Sequence, residues 1–389
     1  MENVVPLQCL AKEGSPSPKA QREENIGPRV KVDVRLVAEG ARRKNRDVAL
    51  MTKLTLGCGE PRRVTTDVEG RMEDLHRSHR RKVPAAVEYL CAPDVSGSGN
   101  SLGTSQTFFD KWHNNPDLAF RQTLTPGSDI QEWILRRNGF ATPDALAAFL
   151  TGKSRILDAG CGNGRVTALL RGLAPDSVEI VGVDLTAWDV AAENLAGASN
   201  TSFQKADLLG DLSPLGQFDF IYCQEVLHHT GDPPKAFGNV ASLLAPGGEL
   251  AIYVYREKAP IREFADDLIR EGMKDLGYDE ALEVSRAIAE LGRALSKLEA
   301  RVEVPAIPIL GISAGDYDVQ RFVYHHFLKC FWSDELDAEG NAVINFDWYR
   351  PEDCTRHTLD EVLGWYESAG LTVTHSLEDE YGITVRGRR

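Results

Sequence analysis

A chain of 389 residues with 42% apolar and 26% charged side chains can bury a full core, as one large α/β domain with an elaborate second region or as two modest domains. Its net charge of -14 disfavours a nucleic-acid substrate, no apolar run approaches the roughly 18 residues that span a bilayer, and the start lacks a basic segment followed by a long apolar one. Seven cysteines without a CxxC pair suggest neither a zinc ribbon nor a disulfide framework, so a soluble, unexported, cytoplasmic protein is expected, with no nucleic-acid or membrane partner and the oligomeric state left open.

Charge is unevenly spread along the chain. Residues 1–82 hold 18 Lys and Arg against 12 Asp and Glu, a balance of +6 that leaves the remainder at -20. Residues 1–83 are polar and poorly periodic and end in the basic run His76 to Lys82, so a disordered leader is expected, with Met51 and Met72 as alternative starts. Within it, Leu54 to Glu60 mimics a nucleotide loop, but the following Pro61-Arg62-Arg63 offers no apolar-faced helix. Towards 148, aromatic stretches around Phe108, Phe109 and Trp112, and around Trp133, predict short helices ahead of a sheet.

Strand and helix signals then alternate. Strands are expected at 155–158, 178–184, 201–206, 218–223 and 249–255, and helices at 164–173, 188–196 and 234–244, with Pro246-Gly247-Gly248 as a structural turn. Alternating βαβ units mean a mostly parallel sheet with helices on both faces, a Rossmann-like α/β fold. The pattern turns helical from Ile261 to Val302 and returns to core-like elements at Thr358, with a helix to Ala369 and strands at 371–376 and 382–386. The expected organisation is therefore a leader at 1–83, a lid plus cofactor core at 84–257, a helical and aromatic insertion at 258–357, and closing elements at 358–389.

The strongest chemical signal is Asp158-Ala-Gly160-Cys-Gly162-Asn-Gly164, placed after a strand and before a helix. Alternate glycines let the backbone pass close under a ligand and aim amide N–H groups and the helix N-terminus at it. The second strand ends in Asp184, where an acid can accept both hydroxyls of a ribose. A dinucleotide dehydrogenase is the natural rival, but its G-x-G-x-x-G spacing differs from the G-x-G-x-G here, and Asp158 suits the ammonium of an amino-acid tail.

These motifs resemble those of the class I S-adenosylmethionine-dependent methyltransferases. The resemblance implies a seven-stranded sheet and S-adenosyl-L-methionine as cofactor, bound by Asp158, Gly160, Gly162, Gly164, Asp184 with Leu185, Asp207 with Leu208 at the adenine, and Gln224 at the methionine end. Where amino-group enzymes of that family carry an Asn/Asp-Pro-Pro-Tyr/Phe loop, this chain has Gln224-Glu-Val-Leu227-His228-His229, similar to the branch that modifies small metabolites. The implied reaction is methyl transfer to a small molecule, with the helices before the sheet and the insertion as a lid on the acceptor. Same-fold transfer or cyclisation of the aminocarboxypropyl arm, releasing methylthioadenosine, is the alternative.

For the reaction itself, His229, then His228 and Tyr349, are the candidate catalytic groups. Tyr324, His325, Asp347, Arg350 and His357 are the candidate acceptor contacts, the last three and Tyr349 being expected in a Pro-bearing loop before the final helix. No spacing in the chain fixes a metal site.

Overall fold

The computed structural model describes residues 102–389, so the leader at 1–83, its loop-like decoy and alternative starts, and the stretch 84–101 lie outside the described residues. Four helices come first, α1 (Leu102–Asn114), α2 (Phe120–Leu124), α3 (Asp129–Arg137) and α4 (Pro143–Leu150). Ser128 and Thr142 cap the last two, their hydroxyls accepting from the amides of Gln131 and Ala145.

The sheet then builds as β1 (Arg155–Ala159), α5 (Arg165–Leu173), β2 (Glu179–Asp184), α6 (Trp188–Asn194), β3 (Thr201–Lys205), β4 (Phe218–Gln224), α7 (Pro233–Ser242) and β5 (Leu244–Tyr255). β5 runs through the expected Pro-Gly-Gly turn, and the cost is a register irregularity against β4 between Phe218 and Phe220. Between β5 and the closing elements lie α8 (Pro260–Met273), α9 (Tyr278–Ser296), an antiparallel hairpin of β6 (Arg301–Val304) and β7 (Gly315–Asp318), α10 (Val319–His326) and α11 (Ala338–Tyr349). The insertion is thus not purely helical. Asp347 and Tyr349, expected in a loop, lie in the last turns of α11, whose N-terminus Asp337 caps by accepting from Gly340 N. α12 (Leu359–Ser368), opened by a Thr358/Glu361 capping box, and strands β8 (Thr372–Glu378) and β9 (Gly382–Arg388) complete the chain.

The seven strands order as β3-β2-β1-β4-β5-β9-β8, with β1 to β5 parallel and β9 antiparallel to both its neighbours. Successive strand residues divide between two cores: Ile156, Ile180 and Phe220 face one, Leu157, Val181 and Ile221 the other. That two-sided burial is why the strands read as continuous apolar runs. The chain order reverses between β1 and β4, and in open α/β sheets such a reversal leaves a crevice beyond the carboxyl ends of the strands.

The insertion packs by a different logic. On α8 the stripe Arg262, Asp266, Arg270 is buried, whereas Ile261, Phe264 and Leu268 face solvent. Asp266 is the reason: its carboxylate accepts from Arg262 Nε (3.1 Å), Trp348 Nε1 (2.8 Å), the Tyr349 hydroxyl (2.9 Å) and Lys329 N (3.1 Å). One acid thereby ties α8 to α11 and to the segment after α10. Asp266→Ala strands Arg262 in the interior, and we expect a loss of about 3–5 kcal/mol in urea unfolding, the cost of breaking a buried pair from one side.

Candidate active site

A cavity opens at the β1/β4 crevice, where an open α/β sheet places its ligand. One wall is the loop after β1. Gly160 and Cys161 donate their amides to Val183 O at 2.7 and 3.0 Å, folding the loop over the end of β2. Gly160 sits at φ +84°, and a Cβ there would lie 2.2 Å from Val226 Cγ2. Gly162, at φ +53°, would meet the Trp112 indole at 2.9 Å. Gly160→Ala combines left-handed backbone with this clash, and about 2–4 kcal/mol of destabilisation is expected in thermal unfolding.

Asp184 ends β2, as its position in the sequence implied. Its carboxylate is held by the amides of Gly162 (3.0 Å), Thr186 (2.8 Å) and Ala187 (3.0 Å), which fixes its orientation towards the cavity. Asp158 is buried in the cavity wall, accepts from Thr167 Oγ1 at 2.5 Å, and burial raises its pKa to about 6. Leu185, Ala206, Leu208 and Gln224 line the same space. Gly164 instead caps α5, and Asp207 accepts from Leu209 N beside the lining residues Ala206 and Leu208. Glu225 holds the strained φ of +60° just past β4 and pairs with Arg165 at 3.3 Å, both in the lining.

The opposite wall joins distant segments. Phe108, Lys111 and Trp112 of α1, His229, Tyr255 and Asp347 all line it. The Lys111 ammonium lies 2.7 Å from Asp347 Oδ2 and 4.0 Å from the centre of the Trp112 ring. Burial pushes the Asp347 carboxyl up, but Lys111 and Lys329 outweigh it and hold it below the usual carboxylate range. His229 Nδ1 lies 2.7 Å from the carbonyl of Asp353, which can only accept; Nδ1 therefore carries the proton and Nε2 the lone pair. Burial lowers the His229 pKa to about 4, so the ring is neutral at physiological pH.

Other candidates from the sequence lie elsewhere, each for a visible reason. His228 turns away from the cavity and packs on Tyr255 with ring centroids 3.7 Å apart, and burial drives its pKa well down. Tyr349 gives its hydroxyl to the Asp266 cluster, where burial and that acid push the phenol up, which removes it as a base. Arg350 donates to Leu276 O, and Tyr324 lies between the guanidiniums of Arg262 and Arg321, at 4.7 and 5.5 Å. His325 packs on Tyr381, while His357 bridges to β5 by donating its amide to Tyr255 O. Thr104, Lys111 and Tyr255 also line the cavity, unanticipated and marked by no local motif, as do Arg165 and Glu225, which adjoin the glycine loop and Gln224. Phe109 and Trp133, expected in the lid, pack on other rings, Phe109 stacked on His113 and Trp133 edge-to-face with Tyr253.

Residues 130–280 match the family model described as a methyltransferase domain. A methyltransferase domain is thus what this segment resembles. Over 160 residues it is 36% identical to an uncharacterized protein of a Synechococcus strain, covering 39% of this chain and 38% of that one. It is 28% identical to phosphoethanolamine N-methyltransferase 1 of Arabidopsis thaliana over 184 residues (42% and 36% covered). To a ubiquinone biosynthesis O-methyltransferase of Coxiella burnetii it is 36% identical over 104 residues (26% and 43%). The chain spans about two fifths of the length of these relatives.

The residues present fit the cofactor of such a domain. The close-approach cradle at Gly160 and Gly162 suits an amino-acid carboxylate, the buried acid Asp158 an ammonium, the fixed acid Asp184 a ribose, and the apolar pair Leu185 and Leu208 a flat base. Among the described residues no group of three or more His, Cys, Asp or Glu could hold a metal ion, and no helix is long and apolar enough to cross a membrane.

Proposed function

We propose that this chain transfers the methyl group of S-adenosyl-L-methionine to a hydroxyl of a small, enclosed acceptor in the cytoplasm, without a metal. One observation carries the reading: the glycine-loop, Asp158 and Asp184 wall and the neutral His229, with its lone pair on Nε2, share a single cavity. When bound, the cofactor supplies an electrophilic methyl on a sulfonium. Asp158, the loop amides and Asp184 bind and orient it, while Phe108 and Trp112 exclude water from the cavity. His229 Nε2 takes the proton as the acceptor oxygen loses it, and Asp347, fixed by Lys111, stabilises the imidazolium that forms.

The relatives support a small-molecule acceptor, and the acidic chain, at pI about 5.2 overall, supports the exclusion of nucleic acid. The test is by-product identity. The purified chain, incubated with the cofactor and a panel of phenols, sugars and amino alcohols, should release S-adenosylhomocysteine together with a methyl ether. Methylthioadenosine as the by-product would overturn the reading in favour of aminocarboxypropyl chemistry.

A further inference from the structure

Helix α1 makes contacts that a mere cover over the cavity does not need. Its first turn docks against the loop after α11. Thr104 Oγ1 donates to Asp353 Oδ2 at 2.9 Å and accepts from Asp353 N at 2.7 Å, so the hydroxyl is used in both directions by one residue. Gly103, in the same turn, lies beside the Glu352 side chain, whose Oε1 is 2.3 Å from where a Cβ would stand. The Asp353 carboxylate also meets the positive end of α1, which favours the seated position.

The loop that Thr104 grips is the one that holds the histidines. Thr355 N donates to His228 O at 2.9 Å, and Asp353 O receives the Nδ1 proton of His229 at 2.7 Å. Phe108, one turn along α1 from Thr104, lies against the His229 ring at 4.8 Å. The same helix places Trp112 against Gly162 and Lys111 on Asp347.

We infer that Thr104 is a positioning residue: seating α1 locks Asp353, and Asp353 in turn selects the Nδ1–H tautomer of His229, so the base is armed only when the cavity is covered. This rests on the reading of His229 as the base. It assigns to the lid a chemical role, because an open lid withdraws the Thr104 hydroxyl from Asp353 and lets the imidazole take the Nε2–H tautomer, which has no Nε2 lone pair to offer the acceptor. Covering and activation then occur in one motion, and the base stays silent towards water.

The experiment needs no acceptor. Long-range 1H–15N spectra of histidine-labelled protein, saturated with S-adenosylhomocysteine, report the tautomer of His229 directly, with His229→Gln identifying its signal. Wild type should be almost wholly Nδ1–H. Thr104→Val, and independently Asp353→Ala, which keeps the carbonyl but removes the side chain that Thr104 holds, should each shift the tautomer ratio by about fivefold towards Nε2–H, the weight of one ordinary hydrogen bond. Thr104→Ser should restore the wild-type signal. A wild-type tautomer in both variants, or an Nε2–H wild type, overturns the inference; so does a variant that loses only thermal stability. Failure of S-adenosylhomocysteine to bind wild type would instead sink the cofactor reading, which separates the two.

Discussion

His229→Gln should lower kcat by about 10²- to 10⁴-fold, the usual contribution of a positioned base, while affinity for S-adenosylhomocysteine changes less than about threefold. Glutamine retains an amide donor of similar reach for Asp353 O but cannot accept a proton. The pH profile adds a second check. The folded His229 titrates near 4, so a kcat limb belonging to it falls there, with a plateau through neutrality. Stability follows the same sign. A histidine whose folded pKa lies below its unfolded value of about 6.5 contributes stability that is complete above 6.5 and lost as pH falls through about 4. His228, shifted in the same direction by burial and by the neighbouring His229, steepens that acid loss. In His229→Gln the part due to His229 disappears, so acid unfolding of the variant should begin at lower pH. An unchanged kcat would remove His229 from the chemistry.

How far the sequence alone reaches differs between the two walls of the cavity. The cofactor wall is local: Asp158 to Gly164 is one strand-to-helix turn and Asp184 a strand end, and each carries a spacing signal that βαβ geometry converts directly into position. The acceptor wall is not. Lys111 and Asp347 stand 236 positions apart and meet only because α1 and α11 pack together, so composition could suggest an aromatic pocket without saying which members face it. Tyr349 shows the failure most clearly. Two residues from Asp347 on a helix, it points to another face, and only the position of Asp266 on α8 explains where its hydroxyl goes. The α8 stripe misleads similarly: Ile261, Phe264 and Leu268 give a correct helical period, yet the buried face is the charged one. Periodicity reports that a helix has two faces, and the neighbours decide which one is covered.

The cofactor wall makes the other large prediction. Asp184→Ala should weaken S-adenosylhomocysteine binding by about 10²- to 10⁴-fold, since two hydrogen bonds to a charged acceptor are worth roughly 1.5–3 kcal/mol each. The alanine also releases the amides of Gly162, Thr186 and Ala187, so the glycine loop loses its anchor on β2. Asp184→Asn keeps one acceptor oxygen and should lose about tenfold. Calorimetry against pH separates this acid from Asp158. The Asp158 carboxyl, raised by burial to about 6, must ionise to hold an ammonium, so affinity should fall about tenfold per pH unit below 6 and level off above it. In the free protein the same raised pKa has the opposite effect on folding, contributing stability below the unfolded value near 3.8 that is lost as pH rises through about 6. Binding and folding therefore pull Asp158 in opposite directions across one pH window, and a cofactor affinity that stayed flat from pH 5 to 7 would place the ammonium on some other group.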